Sequence, residues 1–213
     1  QQDSAGDTVL FPQDEGAIFV NSSSLVIREL DGFAAFSGSV RAWQGNNTLL
    51  AEDLQIGQSG QTISAKGEVR TILYNTTEAE GEPVKSKSER LEARRAEQKI
   101  ELIDNVVVES EGRTLSSDKA IFIFNDAQEL ERIEAIGSLE LKEIATGRTG
   151  SGERATYRVT EETMLLEGSP AEIQEPRGKI RGEQIVLDMK NNRVDVRRGD
   201  SPTEATYNAE SGE

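Results

Sequence analysis

The chain has 213 residues, with 39 acidic and 24 basic side chains and a net charge of −15; phosphate-neutralising contact with nucleic acid or electrostatic adhesion to an anionic membrane is a poor fit for such a surface. It contains no Cys and no His, which excludes disulfides, the usual zinc, copper and haem sites, and any Ser-His or Cys-His nucleophile pair. No apolar run approaches the roughly 20 residues that a spanning helix requires.

In chain order, the polar residues 1–16 read as a loose end before a strand near Ala17 to Val20, and 1–21 as an N-terminal extension with the first strand. Gln1 is not Met, which fits removal of a signal peptide or anchor. A strand through Gly38-Ser39-Val40 leads to Arg41-Ala42-Trp43-Gln44-Gly45-Asn46-Asn47, where the single tryptophan is expected to pack at a hairpin end rather than form a ligand platform. Ala51-Glu52 opens the next strand, and Ile63, Ala65, Gly67 and Val69 alternate after a turn. Residues 75–88 are expected to form a lengthened, mobile loop. Leu91, Arg94, Arg95 and Glu97 are good helix formers, but the repeat register instead predicts strand from Leu91 to Leu102 with a turn at Ala96 to Gln98. Further strands run through Asp104-Asn105-Val106, Ser117-Asp118, Gly137-Ser138-Leu139, Gly152-Glu153, Gly168-Ser169-Pro170 and Gly182-Glu183, with a frayed copy at Gly199. From Thr203 the apolar pattern fades, and 209–213 are expected to be a disordered tail. Residues 22–208 are then one domain of about six repeats.

The repeat is a small residue and an acid, a short apolar strand, a turn, and a strand through a glycine. Acid and glycine positions are 15 residues apart from Glu52 to Gly67, Glu89 to Asp104 and Glu153 to Gly168, 16 from Glu183 to Gly199, and 19 from Asp118 to Gly137. A period near 30 residues implies stacked units that bury their apolar faces only against neighbours. Parity changes at the acid: Leu49 and Ala51 are odd, Leu54 and Ile56 even; Leu115 and Ser117 are odd, Ala120, Phe122 and Phe124 even. Because strand side chains alternate with period two, the change marks an extra residue, so a bulge or corner bends each strand there. The expected fold is all-β: a repeat-built, folded-over antiparallel sheet with an apolar interior groove. The residues expected to face that groove are Leu54, Ile56, Val69, Leu102, Val106, Phe122, Phe124, Leu139, Tyr157, Leu166, Ile185 and Leu187.

The recurring acids Glu52, Glu89, Asp118, Glu153 and Glu183 suit bends, where carboxylates accept N–H bonds or face water. Stacked as a metal ladder they would repel one another without a cation, and no glycine-aspartate nonapeptide repeat is present. Neither a cofactor nor a metal is expected. Asn21, Asn46 and Asn75 lie in glycosylation sequons that occur often by chance. No phosphate-cradling Gly-rich loop with Lys and Ser/Thr is present, so any work must come from a partner.

This grammar resembles the OstA/LptA-like family of periplasmic lipopolysaccharide-transport proteins, which includes LptA, LptC and the N-terminal domain of LptD. It is clearest at Phe36 to Glu52 and in Gly152-Glu153-Arg154-Ala155-Thr156-Tyr157, and extends over about residues 22–200. The resemblance implies a β-jelly-roll folded like a taco and a non-catalytic role: its interior would shield the acyl chains of lipid A, or of another multi-acyl lipid, on the way to the outer membrane. It also implies a periplasmic location, with or without a tether to the inner membrane through a segment absent from this chain. Other jelly-roll transport proteins, or further copies of this one, would stack on its edge strands. Nucleic acid is not an expected partner. Two alternatives stand beside it: a ligand-free β-solenoid scaffold or adhesion module, and a carbohydrate-active β-helix enzyme, which the dispersal of one acid per repeat disfavours.

Overall fold

A computed structural model describes residues 10, 17–57, 60–74, 82–197 and 203–207. Alternation of apolar and polar residues makes one face of each segment a strand face that must be buried, and 14 strands result: β1 (Phe19–Asn21), β2 (Ser24–Arg28), β3 (Phe33–Gln44), β4 (Asn47–Gly57), β5 (Thr62–Leu73), β6 (Val84–Arg94), β7 (Lys99–Ser110), β8 (Arg113–Phe124), β9 (Leu130–Glu143), β10 (Arg148–Arg158), β11 (Thr163–Glu175), β12 (Gly178–Asp188), β13 (Arg193–Arg197) and β14 (Glu204–Tyr207). They form one antiparallel sheet in which β3 to β13 pair in sequence order. No helix among the described residues is long and apolar enough to cross a membrane. Where helix formers cluster, Arg95–Glu97 is a single 3₁₀ turn between two strands, closed by Gln98 in the left-handed region.

The long strands β3 to β12 are creased by corners of one kind. Gly38-Ser39 of β3 stand opposite the single residue Glu52 of β4, between the pairs Ser37 with Asp53 and Val40 with Ala51. Gly67-Glu68 likewise oppose Glu89, Asp104-Asn105 oppose Asp118, and Gly137-Ser138 oppose Glu153. In the last unit three residues, Gly168-Ser169-Pro170, oppose Glu183. The four two-residue corners are consecutive left-handed residues, for example φ 79° and 44° at Gly67 and Glu68. Two such residues turn the strand and leave its parity unchanged, while the lone acid opposite shifts the parity of its own strand by one. Thus β5 buries Ile63, Ala65, Val69, Thr71 and Leu73, whereas β4 buries Ala51 before Glu52 and Leu54 after it. Asp104 replaces glycine in one corner because Asp and Asn enter the left-handed region most readily among other residues.

The crease also explains the small-acid pair. Ser88 and Ser117, buried before their acids, donate from Oγ to the carbonyls of Arg90 (2.8 Å) and Lys119 (2.9 Å). At Gly67 a Cβ would lie 2.5 Å from Glu52 Oε2 on the preceding strand. Ser23 occupies the corresponding place against Gly38, so Ser22-Ser23 is a first copy of the repeat without a carboxylate.

Both ends of the sheet carry split strands. β3 pairs with β1 along Arg41–Trp43 and with β2 along Phe33–Ser37; β12 pairs with β13 along Gln184–Asp188 and with β14 along Gly178–Arg181. The sequence pattern fades at Thr203, yet Glu204–Tyr207 is a strand, too short for alternation to show. Likewise β6 begins at Val84, so the expected loop 75–88 ends in strand, with Val84 opposite Leu73. Residues 75–81, Gly199, the expected tail 209–213 and most of 1–16 lie outside the described residues.

Candidate functional site

The turns after β3, β5, β7, β9 and β11 fall along one long edge of the sheet, and those after β2, β4, β6, β8, β10 and β12 along the other. On a flat sheet the two edges would stand about 35 Å apart, at about 3.3 Å per residue. Arg148 starts β10 at the first edge, and Asn192 lies in the turn after β12 at the second. Arg148 Nη2 nevertheless donates to Asn192 Oδ1 at 2.8 Å. The strands are therefore folded back at their creases until the edges meet as two lips, with the apolar parity face enclosed.

Between the lips lies a cavity of about 250 Å³. The first lip contributes Val84 of β6, Val108 of β7, Leu115 of β8 and Leu141 of β9; the second contributes Leu130 and Ile133 of β9, Tyr157 of β10, Val159 of the turn after β10 and Met164 of β11. Tyr74, Glu82, Ser110, Glu111 and Arg113 complete its polar border. Arg113 is neutralised in place, donating from Nε to Glu143 Oε1 at 3.0 Å and from Nη1 to Glu111 Oε2 at 2.8 Å. Burial, followed by the charge of Glu111, pushes the Tyr157 phenol above its ordinary pKa, so it is a neutral hydroxyl at the mouth. The lining is thus mostly apolar and suited to apolar chains, with the one cationic side chain on its border, Arg113, held by carboxylates.

Beside the cavity a buried polar cluster closes the first lip. Arg148, 3% exposed, donates from Nη1 to Glu143 Oε2 at 3.1 Å, and from Nε and Nη2 to Glu175 Oε1 at 2.9 and 2.7 Å. Burial raises the pKa of Glu143, but hydrogen bonds from Thr146 and Arg113 and the charge of Arg148 outweigh it, leaving the carboxyl below its ordinary value. Among the described residues no group of three or more His, Cys, Asp or Glu is placed to hold a metal ion.

The residues expected to face the groove lie mostly deeper than the cavity. Leu54, Val69, Leu102, Val106, Phe122, Phe124, Leu139, Leu166, Ile185 and Leu187 are buried in one continuous core, and Ile56 and Tyr157 are half-buried against it. Tyr157 alone of the twelve borders the cavity. The other lining residues share the inward parity but sit near strand ends. Charged residues on that same parity, Arg113 with Leu115, Glu143 with Leu141 and Arg148 with Gly150, are the sequence signal that marks the lips. Glu52, Glu89, Asp118 and Glu153 are exposed along the outer ridge of the crease, one per unit, and Glu183 is half-buried there.

A family model described as LptA/(LptD N-terminal domain) LPS transport protein matches residues 19–122 and 112–193, the two matches overlapping at residues 112–122. A search of curated proteins finds no match. Among solved structures, LptH of Pseudomonas aeruginosa, described as the LptA homologous periplasmic component of the conserved lipopolysaccharide transport device, is 20% identical. The comparison covers 51% of this chain and 76% of that one, with a TM-score of 0.46. With the family model spanning every strand from β1 to β12, this all-β, folded-over chain belongs to the LptA/LptD N-terminal domain family of lipopolysaccharide-transport proteins.

Proposed function

We propose that the chain is a non-catalytic carrier that shields the acyl chains of lipopolysaccharide, or of a similar multi-acyl lipid, in the seam between its lips. The observation that carries this reading is the apolar cavity opening where the two lips meet. Each methylene withdrawn from water contributes about 0.8 kcal/mol, so affinity comes from burial and needs no attraction by this acidic chain. At about 250 Å³ the closed cavity falls below the roughly 300–1,000 Å³ of small-ligand sites. Loading therefore parts the lips, and Tyr157 is the first of the predicted groove residues to meet a chain.

In this reading the protein works in the periplasm, tethered or not to the inner membrane through a segment outside this chain. It hands lipid to other jelly-roll transport proteins, or to another copy, by strand addition at the sheet ends. Exposed Phe19, Leu25, Val26 and Ile27 on the short strands β1 and β2 support that mode. A second reading, a ligand-free scaffold, draws support from the continuous core, where Leu54, Leu102 and Ile185 are 0% exposed.

Photo-crosslinking residues at Tyr157, Val159 and Val84 distinguish the two. Incubated with purified lipopolysaccharide, these positions capture lipid and outward-facing Glu140 does not. Capture persists in 1 M salt, where exposed charges are screened within about 3 Å. Absence of crosslinks at every seam position, or abolition by salt alone, selects the scaffold.

A further inference from the structure

The guanidinium of Arg148 holds partners on both lips. Glu143 and Glu175 fix it on its own lip, and Asn192, exposed on the turn between β12 and β13, accepts its remaining contact from the other. Parting the lips here breaks a single hydrogen bond between these side chains and leaves the buried charge paired with two carboxylates. A buried ion left without a partner would resist separation strongly; this arrangement avoids that penalty in the open state. Asn192 is held at φ 49°, which aims its amide from a fixed left-handed turn. We infer that the Arg148 to Asn192 contact is a reversible latch that keeps the seam shut over the cavity and parts when acyl chains enter. Its role in loading rests on the carrier reading; its role in closing the seam does not.

The chain has no native Cys, so Ala145→Cys with Lys190→Cys places one spin label on each turn flanking the latch. The distance distribution between them then reads seam width without any lipid. Asn192→Gly removes the amide and keeps the left-handed backbone; it should lengthen and broaden the distribution and speed uptake of cis-parinaric acid about tenfold, the lower worth of a hydrogen bond to a charged group. Asn192→Asp, which retains an acceptor, should keep the wild-type width. An unchanged distribution in Asn192→Gly overturns the latch, whatever the lipid does. A widened seam with wild-type uptake overturns its role in loading. A widened seam in a protein that takes up no probe, wild type included, supports the latch as a closure and overturns the carrier reading.

Discussion

Gly67→Ala tests whether the left-handed pair builds the crease. Gly67 sits at φ 79°, where an L-residue pays about 1–2 kcal/mol. The new Cβ would lie 2.5 Å from Glu52 Oε2 and 2.7 Å from its Cδ. That carboxylate is exposed and can rotate away, at about 0.5–1.5 kcal/mol for an off-rotamer side chain. Lower entropy of the unfolded chain returns about 0.4–1 kcal/mol. The expected net loss is about 2 kcal/mol in wild type and about 1 kcal/mol on a Glu52→Ala background, where the steric part is gone. Trp43 is the single tryptophan, stacked on Phe19 at 5.5 Å in the neighbouring unit, so its fluorescence in urea follows unfolding at this end of the sheet. In thermal melts the wild-type background should drop by about 4–8 °C, given about 2–4 °C per kcal/mol for a domain of this size. A loss below about 0.5 kcal/mol, or equal losses on both backgrounds, refutes the proposed construction of the corner.

Phe122→Asp or Leu139→Asp places an unpaired carboxylate among buried side chains and should prevent folding, while exposed Glu140→Lys should leave the circular dichroism spectrum and melting unchanged; equal effects at both kinds of position would sink the inward assignment. The Glu143 carboxyl has a pKa depressed below its ordinary 4.5, as do Glu101 through hydrogen bonds from Lys119 and Lys99 and Glu172 through Lys179 and Arg181. Their contribution to stability is full above pH 4.5 and is lost as pH falls through the depressed folded values. Acid titration of the urea midpoint should therefore stay level down to about that pH and then decline, less steeply in Glu143→Gln; an identical slope in the variant would show that the buried carboxylate is not the group responsible.

The crease was legible because it leaves two marks on the sequence: a parity change at Glu52, Glu89 or Asp118 and a glycine or Asp-Asn 15 to 19 residues further on. Both follow from local geometry, in which two left-handed residues face one extended one. The cavity was not legible from alternation, since parity tells inside from outside and nothing about depth between crease and lip. Phe122, Leu139 and Leu102 satisfy the pattern and lie deep, while Val84, Val159 and Met164 satisfy it and reach the mouth. Val84 was masked further by the polar stretch before it, which reads as loop. The Arg148 to Asn192 contact joins residues 44 apart, and only folding of the sheet at its creases brings the two edges together. Charged side chains on the inward parity at strand ends were its available trace.

Because Glu52 packs against Gly67 of the next strand, and Asp118 against Gly137, the corner is completed across the boundary between hairpins. Lineages of such chains can therefore lengthen or shorten by whole two-strand modules without leaving a mismatched seam between old and new material. Loss of one strand would set acid opposite acid, with no left-handed pair to complete the corner. The interior is thus quantised, growing in steps of about 9.5 Å, twice the spacing of neighbouring strands. Duplication within a single gene, rather than redesign of a pocket, is the route this geometry leaves open for matching the protein to a longer span or a bulkier cargo.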